Sequence, residues 1–233
     1  QEYTASRVST RQLLRRLEEV IAANQAAQAV QRFRQGVTPD LDLNAATALA
    51  RYLPKLRHSA GVAGSQTRVA LLGSATTTQL ASLLDLFLFA WGVDAHIYEA
   101  DYGVFRQEIL NPESALYRFQ PQILFLATSR RDLSRVPAAT DSAPAVEAAV
   151  AAEVQEWGAL WQRAHERLGC QIIQNNFELP SRRVFGNFEL SHPASLSSFV
   201  ERVNRELRRQ APPFVALHDL DALAASVGRA NWD

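Results

Sequence analysis

Residues that could act as a nucleophile, an oxyanion donor or an anion ligand follow four short apolar runs of this sequence. They are Gly73 at the end of residues 68–73 with Ser74 and Thr76 after it, Ser129 and Arg130 after 122–127, Asn175 at the end of 170–175 with Asn176 after it, and His218, Asp219 and Asp221 after 214–217. A serine hydroxyl becomes a nucleophile when a nearby base accepts its proton, and N–H groups can stabilise the oxyanion that forms. Arginine instead binds carboxylates or phosphates.

Each of these groups also has a plain structural interpretation. Gly73 permits a tight turn, and the hydroxyls of Ser74 and Thr76 either cap the following helix or face a ligand. Arg130 and Arg131 either form a solvated, ion-paired surface or hold an anion at a strand end. Asn175 and Asn176 place two successive side-chain amides beside the sheet, more polar groups than a connecting loop there needs. The residue types therefore leave both roles open.

The elements that must position these residues alternate between apolar strands and helices. The strands are predicted at residues 68–73, 94–98, 122–127, 170–175 and 214–217, and the helices at 76–91, 144–168 and 193–209. Ser142 is the expected N-cap of the long helix, and Gly169 its C-terminal stop. This alternation predicts an α/β fold, a three-layer sandwich with a mostly parallel, doubly wound five-stranded sheet. Ligands of such sheets bind at the carboxyl ends of the strands, where all the candidate residues lie.

The first sixty residues predict a helical segment that precedes the sheet. One helix is expected to begin at Ser9 or Thr10 and to continue past Phe33, and a second to span residues 41–56. A stretch of small residues at 59–66 is the expected linker, which gives a helical segment at 1–60 and an α/β domain at 67–233. Because the sequence starts without Met, we expect a fragment, with the second domain truncated before its C-terminal end.

Composition and missing motifs exclude several classes of protein. The 24 basic and 24 acidic residues cancel, which argues against nucleic acid as a partner, and no apolar stretch reaches the roughly 18 residues of a membrane span. Cys170 is the single cysteine, so no internal disulfide is possible and a cytoplasmic location is expected. Glycine-rich nucleotide loops and the Gly-x-Ser-x-Gly elbow are absent, and the five histidines are scattered. We therefore expect neither a metal site nor a cofactor within these residues.

Two sequence blocks carry a family resemblance. Residues 98–121, YEADYGVFRQEILNPESALYRFQP, and residues 174–180, QNNFELP, followed by Gly186 and Asn187, resemble the amino-terminal domain of FkbH-like proteins, members of haloacid dehalogenase (HAD) subfamily IIIC. The stretch 221–233 resembles the point at which that domain continues into the rest of such proteins. The resemblance covers roughly residues 67–233.

This resemblance implies a fold similar to SGNH (GDSL-type) hydrolases and, in the full-length protein, a HAD catalytic domain that follows it. Such proteins are associated with polyketide-type biosynthesis, where they take a glyceryl unit from 1,3-bisphosphoglycerate, dephosphorylate it and load it onto an acyl carrier protein. The implied partners are the acyl carrier protein or the adjacent HAD domain. Magnesium is expected only in that HAD domain, whose nucleophile motif is not among these 233 residues.

The sequence departs from the SGNH pattern at the residues that would carry catalysis. Gly73 matches the leading glycine, but the usual nucleophile position is Ala75, so that Ser74 could act only in a shifted register. Gly103 could supply the glycine of the second block, whereas the oxyanion asparagine of the third would fall near Ser129 or Arg130.

No Asp-x-x-His pair follows either, since the residues three beyond Asp219 and Asp221 are alanines. Two hypotheses stand. The first is a non-catalytic recognition domain that positions a carrier protein, its phosphopantetheine arm or the adjacent HAD domain. The residues it would use are Ser74, Thr76, Arg130, Asn175, Asn176 and Asp221. The second is an active serine acyltransferase or esterase that uses Ser74, with Asn175 or Asn176 in the oxyanion hole and a base supplied by His218 or by further sequence.

Overall fold

The sheet is built from five short strands, and the first of them is buried throughout residues 69–73. The structure, a computed structural model, describes residues 10–23, 25–60 and 66–232. Three helices come first: α1 (Thr10–Ala22), α2 (Ala26–Gly36) and α3 (Leu43–Ala60). The strands are β1 (Thr67–Gly73), β2 (Ala95–Glu99), β3 (Ile123–Ala127), β4 (Gln171–Asn175) and β5 (Val215–His218). The remaining helices are α4 (Thr78–Ala90), α5 (Phe105–Leu110), α6 (Ala115–Phe119), α7 (Ala143–Leu168), α8 (Leu196–Gln210), α9 (Leu220–Val227) and α10 (Arg229–Trp232).

The strand order is β2-β1-β3-β4-β5. The pairs β1–β3, β3–β4 and β4–β5 are parallel, with Leu71 opposite Phe125, for example, and Asn175 opposite His218. This is the doubly wound order in which the direction of winding reverses beside β1. The predicted fold class, an α/β chain with a five-stranded parallel sheet preceded by a helical segment, is confirmed.

The chain is divided into two compact units, each with its own apolar core. One contains the described residues up to Thr67 together with Thr78–Ile97, and here α1–α4 bury Phe33 against Phe89, with ring centroids 5.9 Å apart. The other contains Arg68–Thr77 and the chain from Tyr98 onward. Its core lies between the sheet and α5, α7 and α8, where Phe105 stacks on Trp157 at 5.8 Å.

The helix boundaries differ from the predictions in several places. The segment predicted as the first helix forms two helices, α1 and α2. Residues 22–26 contain neither glycine nor proline, so the sequence gives no helix-breaking signal between them. The short helices α5, α6, α9 and α10 were not predicted, because four to eight residues are too few to show a helical period. Ser142 and Gly169 cap α7 as predicted. Ser9 and most of the predicted linker, at 61–65, lie outside the described residues.

Candidate functional site

A cleft opens at the carboxyl ends of β1 and β3, the point where strand order reverses. Its volume is about 780 Å³, and the turn after β1, the loop after β3 and residues 102–106 line it, together with Glu178 and Trp232. We call it the β1–β3 cleft. Among the predicted site residues, those that line it are Ser74, Thr76, Gly103, Ser129 and Arg130. Parallel strands bring these residues together because their carboxyl ends meet at one edge of the sheet.

Gly73 is the last residue of β1 and directly precedes Ser74, which lines the cleft. A Cβ atom at this position would come within 2.8 Å of the Thr77 methyl group and 3.0 Å of the Ala127 carbonyl oxygen. The predicted glycine is therefore required by close packing of the turn against the end of β3. The peptide N–H of Gly103 contacts the Gly73 carbonyl at 3.4 Å, which ties the second lining segment to the first.

Ser74 is bound to a carboxylate that sequence reasoning missed. Its hydroxyl donates a 2.6 Å hydrogen bond to Oδ2 of Asp132, a buried side chain. The same oxygen accepts from the Ser129 N–H at 2.8 Å, and together Ser129 and Asp132 form a capping box around the short 3-10 turn Arg130–Asp132. The Ser-x-x-Asp spacing is the sequence signal that could have revealed this carboxylate.

Three arginines border the cleft, and two of them are committed to other contacts. Arg130 forms a 2.9 Å ion pair with Glu178, which also accepts from the Arg130 N–H. Arg106 donates to the Asp132 carbonyl oxygen at 2.8 Å and forms a 3.1 Å ion pair with Glu156. Arg131 is exposed and has no ion-pair partner among the residues the structure describes. Arg131 is thus the cation in this cleft that is available to an anionic ligand.

Histidine is absent from the cleft lining described here, and the histidine predicted as a base is engaged elsewhere. His218 is the last residue of β5, and its Nδ1 lies 2.9 Å from Oδ1 of Asn175. The Asn175 amide donates to the Thr128 carbonyl oxygen at 3.1 Å. Asn175 therefore joins the ends of three strands instead of lining the β1–β3 cleft.

Asn176 and Asp221 lie on a second, smaller cavity of about 450 Å³ beside β5 and α8. The Asn176 amide donates to Asp219 at 2.7 Å and accepts from the Asp221 N–H at 3.0 Å. The Asn176 hydrogen bond, together with that from the Ala222 N–H, lowers the pKa of Asp219. Asp221 in turn accepts from the Leu179 N–H and pairs with an arginine of α10. These side chains fasten the chain after β5 to the loop after β4.

The sequence block at 98–121 contains the two short helices that follow β2, α5 and α6. Glu108 accepts a hydrogen bond from the Tyr98 hydroxyl at 3.1 Å and from the Leu116 N–H at 2.9 Å. Burial, reinforced by the Glu108 carboxylate, raises the pKa of Tyr98 to about 12. Ser114 donates to the Glu108 carbonyl oxygen, and Tyr117 to that of Ile109. These characteristic residues therefore shape the segment that presents Gly103 and Arg106 to the cleft.

Within the described residues, no three His, Cys, Asp or Glu side chains come close enough together to hold a metal ion. None of the helices described is both long enough and apolar enough to cross a membrane.

Comparison with known proteins identifies relatives of the sheet-containing part of the chain. The sequence profile of the family described as "FkbH, N-terminal domain" matches residues 68–233. No curated protein sequence matches the chain. The crystal structure of the N-terminal part of BF1531 from Bacteroides fragilis, described as containing a phosphatase domain complexed with Mg, superposes with a TM-score of 0.63 at 20% identity.

That superposition covers 78% of this chain and 47% of the BF1531 chain, so this chain spans about half the length of its structural relative. At 20% identity the similarity concerns the fold. A novel cobalamin-binding protein from Desulfitobacterium hafniense DCB-2 gives a TM-score of 0.41 at 12% identity over 84% of this chain and 90% of its own, which is too low to support an argument.

Proposed function

Because this chain belongs to the FkbH N-terminal domain family, we propose that residues 68–233 act in the cytoplasm as a non-catalytic recognition domain of an FkbH-like protein. The domain is SGNH-like in this proposal, and its β1–β3 cleft receives the phosphopantetheine arm of an acyl carrier protein. In the full-length protein, a HAD domain of subfamily IIIC takes the glyceryl unit from 1,3-bisphosphoglycerate and forms glyceryl-acyl carrier protein for polyketide-type biosynthesis. The recognition domain positions the carrier protein for that HAD domain.

The capping-box role of Asp132, which accepts from the Ser74 hydroxyl, is the observation that carries the non-catalytic assignment. Serine acyl transfer requires an imidazole or a similar base between the hydroxyl and the orienting carboxylate. Here the carboxylate accepts directly from the hydroxyl and is also part of a capping box. No imidazole lines the described part of the cleft. The hydroxyl is thereby held as a structural or ligand-contacting group.

The arginines of the cleft support a phosphate-bearing ligand. Arg131 is exposed at the cleft and lacks an ion-pair partner among the described residues, so a phosphodiester can bind it without displacing an acidic side chain. Trp232 and Tyr102 add apolar surface at the rim. The magnesium that a HAD phosphatase uses belongs to the HAD domain in this proposal.

Active-site labelling tests the non-catalytic assignment. The chain is incubated with a fluorophosphonate serine probe and its intact mass is measured, beside Ser74→Ala and the control Ser226→Ala, an exposed serine of α9 outside the cleft. We expect no labelling in any of the three chains while circular dichroism shows that they are folded. Labelling that Ser74→Ala abolishes and Ser226→Ala retains would overturn the assignment.

Carrier-protein binding tests the recognition role. Holo-acyl carrier protein is titrated into the chain by calorimetry, with the apo form, which lacks the phosphopantetheine arm, as the comparison. We expect the holo form to bind more tightly, and Arg131→Ala to weaken it about tenfold. Arg163→Ala, an exposed arginine of α7 outside the cleft, serves as the control. Equal binding of both forms, or none, would contradict the proposed use of the cleft.

The short Ser74–Asp132 hydrogen bond also favours a second candidate, a serine acyltransferase or esterase. A carboxylate 2.6 Å from a hydroxyl can accept its proton, as the catalytic aspartate of protein kinases does for a substrate hydroxyl. This candidate still requires an oxyanion donor, because the Gly103 N–H on the same cleft contacts the Gly73 carbonyl oxygen at 3.4 Å. The labelling experiment separates the two candidates, because only an activated serine reacts with the probe.

A further inference from the structure

The loop of residues 181–192, between β4 and α8, exposes large apolar side chains. Val184 is 81% exposed, Phe188 75% and Leu190 61%. Single exposed apolar residues are ordinary on protein surfaces, but several close together in one short segment mark a contact surface. None of the three lines the β1–β3 cleft.

A buried glutamate anchors the loop that carries these exposed side chains. Glu189 is only 1% exposed, and its carboxylate accepts from the Phe185 N–H at 3.1 Å and from the Ser197 hydroxyl at 2.9 Å. Phe185 stacks on His192 with ring centroids 4.1 Å apart. The Glu189–Ser197 bond ties the loop to the first turn of α8, and the ring stack joins two residues of the loop to each other.

A tetrapeptide that occurs twice in the sequence places its phenylalanine in the core in one copy and in solvent in the other. The sequence Asn-Phe-Glu-Leu occurs at residues 176–179 and again at 187–190. In both copies the glutamate is buried and accepts backbone N–H bonds, Glu178 from Arg130 and Glu189 from Phe185. Phe177 of the first copy is fully buried in the core, whereas Phe188 of the second points into solvent. The second copy keeps the anchoring glutamate and presents the phenylalanine outward.

The charge of the loop selects the kind of partner. Arg182 and Arg183 are exposed beside the apolar side chains, and Glu189, the single acidic residue in 181–192, is buried. A two-fold contact between two copies centred on this loop would bring together two loops that each carry both arginines, and this like-charge juxtaposition costs free energy. An acidic surface is the complementary partner.

We infer that the 181–192 loop is a docking surface for an acidic protein face that carries apolar side chains. This inference rests on the proposed function, under which that face belongs to the carrier protein. The loop would bind the body of the carrier protein, while the β1–β3 cleft receives its arm. Phe188 would be the apolar anchor, because exposed aromatic residues dominate the energetics of such contacts.

Two loop variants test this inference by calorimetry against holo- and apo-acyl carrier protein. The first, Val184→Ser with Phe188→Ser, removes apolar surface, and the second, Arg182→Glu with Arg183→Glu, reverses charge. The control is Leu110→Ser with Arg163→Glu, which changes the same kinds of exposed residue elsewhere in the domain. Because all of these side chains are exposed, thermal melting of each variant should match that of the wild type.

We expect both loop variants to bind either carrier form at least about tenfold more weakly, with the control unchanged. The charge reversal should also reduce the dependence of binding on salt. Unchanged binding by both loop variants would overturn the docking surface and leave the proposed function standing. If the wild-type chain binds neither carrier form, both proposals fail. A wild-type dimer that Phe188→Ser dissociates would show that a second copy covers the loop and would likewise overturn the inference.

Discussion

The hydroxyl of Ser74 and the carboxylate of Asp132 are joined by a 2.6 Å hydrogen bond, although the two residues are 58 positions apart in the sequence. This bond links the turn after β1 to the loop after β3. Asp132 also accepts from the Ser129 N–H, so one carboxylate oxygen holds both loops of the candidate site. The cleft is therefore shaped by a polar contact and not by apolar packing alone.

Removal of the Asp132 carboxylate should lower the unfolding free energy more than removal of the Ser74 hydroxyl. Asp132→Ala leaves the Ser129 N–H and the Ser74 hydroxyl without their acceptor, so we expect a loss of about 1–3 kcal/mol of unfolding free energy, against about 1 kcal/mol for Ser74→Ala. The double variant should lose less than the sum of the two, because both single changes break the same bond. Urea denaturation of the four chains measures this, and additive losses would show that the bond contributes nothing.

Glu153 gives a sharper stability test, because its carboxylate is fully buried in α7. It accepts from the Ser134 N–H at 3.1 Å, the Arg135 N–H at 2.9 Å and the Trp157 indole at 3.0 Å. We expect Glu153→Ala to lower the unfolding free energy by about 3 kcal/mol, because these three donors and the Ser134 hydroxyl, 3.2 Å from the carboxylate, lose a charged acceptor.

The matched control for this change is Glu147→Ala on the same helix. Glu147 has a largely exposed side chain that pairs with Arg202, and loss of such a pair should cost less than about 1 kcal/mol. Tryptophan fluorescence during denaturation reports both variants, because Trp157 is fully buried. Equal losses for the two glutamates would contradict the structural role of Glu153.

Cys170 should be unreactive in the native chain. It is 1% exposed, and burial raises the pKa of its thiol to about 11. Since the thiolate is the reactive form, we expect no appreciable reaction with Ellman's reagent at pH 8 in buffer and release of one equivalent in denaturant. Rapid labelling of the folded chain would show that the end of α7 opens readily.

The local features of this fold were predictable from sequence, and the long-range ones were not. Ser142 and Gly169 cap α7 as predicted, because a cap depends on neighbours within one helical turn. All five strands were predicted close to their observed positions, and the clearest signal is the continuous apolar run in β1, where residues 69–73 are buried throughout.

The missed contacts depend on which strands lie side by side. Asp132 meets Ser74 because β3 pairs with β1, and His218 meets Asn175 because these residues are opposite each other in the β4–β5 register. Strand order and register are not visible in one sequence. The sequence therefore allowed His218 to be considered as a base, but it could not show that the imidazole contacts Asn175.

Alkaline pH should destabilise the domain partly through Tyr98. Burial and Glu108 raise the pKa of this phenol to about 12 in the folded chain, whereas the unfolded phenol has its ordinary pKa of 10.0. The folded state therefore resists deprotonation, and the stability that Tyr98 contributes is complete below pH 10 and is lost as the pH rises toward 12. Tyr98→Phe should flatten the fall in stability over this range.

Urea denaturation at several pH values between these limits measures the slope. Tyr102→Phe, which removes an exposed hydroxyl in the same segment, is the control for loss of a phenol group. A slope that Tyr98→Phe leaves unchanged would contradict the assignment of this titration to Tyr98.

The same substitution at two glycines should have opposite effects on stability. Gly158 lies inside α7, where an added Cβ would meet no atom within 4 Å, so Gly158→Ala should stabilise the chain by about 0.5–1 kcal/mol through the entropy of the unfolded state. Gly73→Ala places a Cβ 2.8 Å from the Thr77 methyl group and 3.0 Å from the Ala127 carbonyl oxygen. Thr77 cannot turn aside freely, because its hydroxyl donates a 2.7 Å hydrogen bond to Glu99. We expect a loss of about 1–3 kcal/mol from this overpacking. Thermal melting of both variants measures the difference, and a Gly73→Ala chain as stable as the wild type would show that the turn after β1 can move away from the end of β3.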